Sequence, residues 1–383
     1  MELFLGILLG LLVLVVLVVL HELGHAIVAK RNGVVVEEFG IGFPPRGWSR
    51  KLKNGVLFSL NWLPLGGFVK LKGEYDSAKG KGTYGQASYW VKTKILLAGV
   101  AINWITAALL FAVISLWGLP KILPDQVVLP FDNTVVASPL LIGTVGTDSP
   151  AEKAGLKVGD EILSIGDTPV ITSSELSSAT KSQAGKEVIV EYRRGEETRK
   201  SVVQLNSASE AKNGGYLGVG SSQTESIRAT WSSPILGVAT AGQLTYATIS
   251  SVGDMLVKGI GGFFGQFSTK ESTREQAQQN LGALSQSVAG PVGILGVIFP
   301  SVLDAGVTQI LLLCAIISLT LAVMNLLPIP ALDGGRWTVM TLFRIFKKDL
   351  TKEREETIQS IGFLAIILLT ILVTWSDVSK LFG

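Results

Sequence analysis

The chain has 383 residues, 48% of them hydrophobic and only 16% charged, with a mean hydropathy of +0.45. Soluble domains carry about 25% charged residues, so this composition excludes an ordinary soluble globular protein and points to an integral membrane protein. A net charge of +3 without a basic aromatic tract argues against a nucleic-acid partner. A single cysteine, Cys314, excludes an intrachain disulfide framework and a Cys-rich zinc module.

The first predicted element is segment 1–29. It opens Met-Glu with no basic n-region, its apolar run is longer than a signal-peptide core, and no small-residue cleavage site follows. The reading is a transmembrane helix that is retained. Near its end stand His21-Glu22-Leu23-Gly24-His25, and the chain has no other histidine. Histidines at i and i+4 share one helix face. Both imidazoles can therefore reach one ion at about 2.0–2.1 Å, and Glu22 beside them can act on an attacking water. This is the H-E-x-x-H arrangement of metalloproteases. The bland reading is a pair of satisfied helix histidines beside a solvent-facing glutamate. It sits badly with an apolar span, where titratable side chains are costly without partners.

Segment 30–94 is rich in Lys and Arg. Within it, residues 34–43, 54–63 and 67–72 read as short strands, with turns at Asn54-Gly55 and Leu65-Gly66-Gly67. This is a cytoplasmic or membrane-reentrant β region. Its exposed edge could hold an unwound substrate strand by β-addition, or the sheet could merely brace the first helix. Residues 95–119 form the second predicted span. Residues 120–225 carry Ser149-Pro150-Ala151, Ala154-Gly155-Leu156 and Gly159-Asp160-Glu161-Ile162-Leu163, followed by a hairpin near Arg194-Gly195. That spacing resembles a bacterial PDZ domain. In its permuted form, Tyr216, Leu217, Gly218 and Val219 would line the groove that takes a peptide C-terminus. Residues 226–305, rich in Gly, Ser and Thr, read as an interfacial amphipathic segment lying against lipid.

The third predicted span is 306–335, a basic cytoplasmic loop is 336–356, and the fourth span is 357–377. The Lys and Arg excess in 30–94 and 336–356 places both on the cytoplasmic side. Both termini and the 120–305 segment are then extracytoplasmic. The fold class is a polytopic α-helical membrane protein of four transmembrane helices, with a β insertion and an extracytoplasmic α+β PDZ module.

A hydrolytic zinc commonly keeps three protein ligands and an open position. With no third histidine, the candidates are a carboxylate or Cys314. His21 lies about 27 Å along its span at ~1.5 Å per residue, near the cytoplasmic side. The cytoplasmic end of the third span carries Asp333, whereas Cys314 lies about 28 Å of helix away toward the outer face. Asp333 is the third ligand by elimination. Pro328 and Pro330 break the helix before it, and Gly334-Gly335 permit a sharp turn after it. Asn325, at membrane depth, could clamp a substrate backbone or bond a neighbouring helix.

The HELGH motif, the run from Asn325 to Gly335 and the PDZ-like module between the second and third spans together resemble the site-2 protease family. The likeness is to the bacterial regulator-of-sigma-E type and covers nearly the whole chain. Residues 37–46, 63–74 and 289–294 add to it. The resemblance implies one zinc per chain held by His21, His25 and Asp333, Glu22 as base, and Asn325 and Pro328 holding the substrate strand. It further implies a bacterial inner-membrane location. The implied substrates are single-span membrane proteins, either a trimmed anti-sigma factor or a remnant signal peptide, in regulated intramembrane proteolysis. Enterobacterial members carry two PDZ domains, whereas this chain has room for one. Where the family often reads Ala-Gly-Pro, this chain has Ala98-Gly99-Val100, a change expected to straighten the second helix. The alternative is a membrane-anchored PDZ adaptor with a non-catalytic metal site. A zinc transporter is disfavoured because no further intramembrane acids line a path.

Overall fold

The computed structural model describes residues 2–211, 215–268, 270–287, 290–303 and 305–382. Ala289, part of the 289–294 stretch noted above, lies outside them. The chain divides into two compact units, Met1–Ile114 with Ser233–Gly383, and Ser115–Ser232.

In the first unit, α1 (Glu2–Arg31) is an unbroken helix made mostly of Leu and Val, with Gly6 and Gly10, up to the histidines. Leu3, Phe4, Leu8 and Leu12 are exposed, as side chains that face lipid are. Gly6, Gly10 and Gly24 lie on its buried face. A methyl group there would come within 2.6 Å of Pro300, 2.7 Å of Leu295 and 2.7 Å of the Ala98 carbonyl oxygen, so glycine is what lets the neighbouring segments approach.

The β region is one antiparallel pair, β1 (Val36–Lys51) and β2 (Leu57–Leu71). Each strand bends, near Gly42 and Gly66, where positive φ suits glycine. The register therefore lays four segments side by side in the order 67–71, 36–41, 57–60, 46–51. Two of the three expected short strands are thus halves of one bent strand, and 46–51 pairs as well. Phe43, Trp48, Trp62 and Leu63 are exposed on this sheet.

The expected 95–119 span is divided differently. Helix α2 (Tyr89–Leu96), capped by Ser88, stops at Leu97, and α3 (Ala98–Ser115) follows. Leu97, between them, keeps a right-handed helical backbone, its N–H donating to the Thr93 carbonyl and its carbonyl accepting from the Ala101 N–H, both at 3.0 Å.

The second unit begins with β3 (Leu119–Pro120), β4 (Thr134–Ala137) and β5 (Leu141–Val145). The short α4 (Pro150–Lys153), β6 (Glu161–Ile165), β7 (Thr168–Pro169) and α5 (Ser173–Ser182) follow. The hairpin β8 (Glu187–Arg194) and β9 (Glu197–Gln204) precedes β10 (Val219–Ser222) and β11 (Glu225–Arg228). One sheet runs β10-β5-β6-β8-β9 with β7 on β6, and a small second sheet runs β3-β11-β4. Because β11 pairs with β3 and β4, this unit extends past the expected end at 225, to Ser232. Its core is Ile142, Ile162, Ile165, Val190, Val203 and Leu205, with both helices capped by side chains, Ser149 on α4 and the Thr172–Glu175 capping box on α5.

Buried Asp160 receives two bonds of 2.7 Å from the Arg194 guanidinium and one of 2.8 Å from the Lys157 N–H. Burial pushes its carboxyl up, but these donors outweigh it and hold the carboxyl below the usual carboxylate range. A depressed folded-state value contributes stability above the unfolded pKa, about 3.9, that is lost as pH falls through the folded value. Hydrogen-exchange protection of β6 and β8 in the full chain should therefore decline below about pH 4. Asp160→Asn should lower that protection at neutral pH and flatten its acid dependence. An unchanged acid limb in the variant would assign the loss to other carboxylates.

The first unit resumes with α6 (Ser233–Gly265), α7 (Glu271–Ser287), α8 (Pro291–Gly293), a π-helical turn (Ile294–Ile298) and α9 (Phe299–Leu303). The expected single interfacial segment 226–305 is therefore the end of β11, a packed pair of helices and a further helical stretch against α1. Then come α10 (Val307–Leu326), α11 (Asp333–Ile345) and α12 (Lys352–Phe382). Residues 336–345, expected in a loop, belong to α11, which buries Met340 and exposes Ile345. Among the described residues four helices are long and apolar enough to cross a membrane: α1, α3, α10 and the 352–379 part of α12.

Candidate metal centre

Three side chains from distant parts of the first unit meet. His21 Nε2 lies 3.2 Å from His25 Nε2 and 2.9 Å from Asp333 Oδ2, and His25 Nε2 lies 3.3 Å from the same oxygen. All three donor atoms fall within 4.8 Å of one another.

Helix geometry brings the two imidazoles together, since i and i+4 stack on one face. Asp333 arrives by a chain reversal. Leu327 is extended before Pro328, which ends α10, and α11 starts at Asp333 itself. Gly334 and Gly335 do not make the expected sharp turn, and neither has a left-handed backbone. They form the first turn of α11, and a methyl group on either would lie about 2 Å from a carbonyl oxygen, 2.1 Å from that of Leu326 at the end of α10 and 1.9 Å from that of Ile329 in the loop. Their role is to let the helix lie flat on the loop that precedes it.

Arg336, one turn further along, locks α11 in place. Its Nε donates to Glu355 Oε1 at 3.1 Å and its Nη1 to Glu74 Oε1 at 3.2 Å, while Nη2 donates to the Glu74 carbonyl. The guanidinium also lies over the Tyr84 ring, 5.2 Å from its centroid. A cavity of about 570 Å³ opens between these groups and Asp333, lined in part by Glu37, Lys70, Tyr75 and Gln359. It supplies a polar opening beside an otherwise apolar site.

The donor set fits a divalent transition ion. His25 Nδ1 donates to the Ile95 carbonyl at 2.7 Å, so its Nε2 keeps a lone pair directed at the cluster. Room above the imidazoles exists because α3 presents a glycine there. A Cβ on Gly99 would lie 2.5 Å from His25 Nε2 and 2.6 Å from His21 Nε2. Two neutral imidazoles and one carboxylate make a three-ligand set of the kind that leaves a position open for chemistry. Glu22 projects from the same helix beside Gly67 of β2, whose Cβ position is 3.6 Å from Glu22 Cγ.

Not every expected residue joins this group. The Asn325 amide donates to Leu321 of its own helix at 3.0 Å, and Pro328 is exposed. Cys314 stands mid-way along α10, outside the cluster. In the second unit, the carbonyls of Tyr216, Leu217 and Gly218 accept from Asn206, Ala151 and Gly146 at 2.9, 3.0 and 2.9 Å. Leu217 is in that unit's core, Gly218 has φ +75°, and Val219 opens β10, the edge of the larger sheet. Ser221 Oγ donates to Ser173 Oγ at the start of α5 at 3.0 Å, so helix and sheet edge are adjacent. Gly99, Asn103 and Arg336 were not among the expected site residues. Gly99 is noted above only as part of Ala98-Gly99-Val100, with no role at the site, and Asn103 has a signal of its own, an amide inside an apolar span.

Two histidines on a helix of membrane-spanning length, met by a carboxylate at the start of the short α11 and with a glutamate adjoining the first ligand position, define a membrane metallohydrolase. The family model described as Peptidase family M50 matches residues 9–369, and the chain belongs to that family. Similar curated proteins include a putative zinc metalloprotease of Clostridium acetobutylicum, 30% identical over 98% of both chains. Another, of Clostridium perfringens, is 29% identical over 94% of this chain and 95% of its own. The regulator of sigma-W protease RasP of Bacillus subtilis is 24% identical over 96% of both. The protein is an integral-membrane zinc metalloprotease of the site-2 type.

Proposed function

We propose that the protein hydrolyses peptide bonds of single-span membrane proteins inside the bilayer, with zinc held by His21, His25 and Asp333 and with Glu22 as general base. The observation that carries this reading is the donor cluster itself, whose two histidines stand on α1, a helix of membrane-spanning length, next to a cavity lined in part by polar residues. Zinc bound there would acidify a water and polarise the scissile carbonyl. Glu22 takes the proton from the attacking water and returns it to the departing nitrogen. The β2 segment 67–71 lies at the edge of its sheet beside Glu22, so a substrate unwound from its helix can pair along it and present a carbonyl there. Asn325 and Pro328, at the break between α10 and α11, are proposed to hold the other side of that strand.

The second unit is proposed to be a PDZ domain, with Tyr216, Leu217, Gly218 and Val219 at a groove between β10 and α5 for a peptide C-terminus. Lys and Arg in the segment before α2 and in residues 336–356 favour a cytoplasmic position for both. The termini and the second unit then lie outside the inner membrane of a bacterium. The proposed substrates are of the anti-sigma-factor or remnant-signal-peptide kind; the Bacillus subtilis relative is named a regulator of sigma-W protease, which favours the first.

The test is mass analysis of products from a synthetic single-span peptide, incubated with zinc-loaded protein in proteoliposomes. Scission within the apolar span is expected. Scission confined to the water-exposed flanks would overturn the intramembrane reading.

A further inference from the structure

Asn103 stands in α3, fully buried, at 0% exposure. Its backbone carbonyl accepts from Ser318 Oγ of α10 at 2.8 Å. Its side-chain Nδ2 lies 3.4 Å from His21 Nδ1, and its Oδ1 has no hydrogen-bond partner. An amide left partly unpaired in a membrane interior is costly, and a leucine would fill the space without that cost.

The proton on His21 explains its presence. His21 Nε2 faces Asp333 and His25, so that nitrogen is the one available to a metal. In the neutral imidazole the proton then sits on Nδ1, which donates. Two N–H groups cannot bond each other. The oxygen and nitrogen of an amide occupy nearly identical shapes, and which is which follows from the bonding network. Turning the Asn103 amide over places Oδ1 opposite the His21 Nδ1–H. His25 has the equivalent arrangement already, with its Nδ1–H on the Ile95 carbonyl.

We propose that Asn103 is a positioning residue for the metal centre: its Oδ1 accepts the Nδ1–H of His21, fixing the tautomer and ring plane that direct Nε2 to the ion. It touches neither the metal nor the substrate. This inference rests on the assignment of His21 as a ligand. Outer partners of this kind are worth about 10–100-fold in metal affinity.

The full-length protein in detergent suffices for the test. With two histidines in the chain, ¹⁵N-histidine labelling reports on His21 and His25 alone. In the zinc-loaded wild type both rings should show a protonated Nδ1 and a metal-bound Nε2. A His21 ring bound through Nδ1 would overturn the proposal without any variant being made. Chelator competition should then show zinc affinity about 10–100-fold weaker in Asn103→Leu, with a changed visible spectrum of the cobalt-substituted protein. Asn103→Asp, which keeps an acceptor, should retain wild-type affinity to within about threefold, as should Ser318→Ala, which loses only the helix contact. Wild-type affinity and spectrum in Asn103→Leu would sink the idea, as would Asn103→Asp proving equally damaging. Unchanged zinc in His21→Ala would instead refute the underlying ligand assignment.

Discussion

Glu22→Gln should leave zinc bound at one per chain and reduce cleavage of a single-span substrate by about 10²–10⁴-fold, the range for loss of a general base. The amide is the same size and sits on the same turn of α1, so His21, His25 and Asp333 keep their places. What disappears is a group able to accept the water's proton and pass it to the leaving nitrogen. Metal analysis and product quantification on one preparation separate the two effects. Loss of zinc together with activity would make Glu22 a structural member of the site. Near-normal turnover with full zinc would leave the base unassigned. The same preparation offers a control in Cys314→Ala, which should change neither quantity because Cys314 lies outside the cluster.

The second large effect is expected from one methyl group. Gly99→Ala places a carbon 2.5 Å from His25 Nε2 and 2.6 Å from His21 Nε2, against both metal-facing nitrogens at once. Helix α3 has little freedom to retreat, because Gly24 of α1 is packed on the Ala98 carbonyl and Ser318 holds the Asn103 carbonyl from the other side. The imidazoles must therefore turn away from each other and from Asp333. Zinc content should fall well below one per chain, and proteolysis should drop at least as far as in Glu22→Gln. Because the buried volume rises by a single methyl, overpacking should cost only about 1–3 kcal/mol of stability. The variant should remain foldable, and the loss will be one of site geometry. Full zinc occupancy in Gly99→Ala would mean that the space above the imidazoles is wider than the backbone positions indicate.

Glu22 and Gly99 differ in how far the amino-acid sequence alone betrays them. Glu22 is legible there because helix periodicity converts five consecutive letters into a spatial arrangement: two histidines on one face and a glutamate next to the first. Asp333 is legible as a carboxylate just beyond the cytoplasmic end of another span, although the expected span 306–335 in fact ends at Leu326 and Asp333 opens the separate helix α11 after a chain reversal. Gly99 is not legible in this way. A glycine in an apolar helix is ordinary, and its importance appears only when α3 is seen to pass directly over the imidazoles.

Gly334 and Gly335 make the complementary point, since the sequence suggests turn formers and the fold uses them as surfaces of close contact. The run of apolar residues, the loop charges and the H-E-x-x-H spacing by themselves determined a membrane protein with a metal-ready helix, because local periodicity and solvent preference act within one segment. Which backbone roofs the metal, which carbonyl orients His25, how Arg336 anchors the helix that carries Asp333, and how β1 and β2 bend into a four-segment sheet beside Glu22 were decided only in the tertiary structure. Each depends on a contact between segments far apart in the chain, and no local pattern encodes the distance between them.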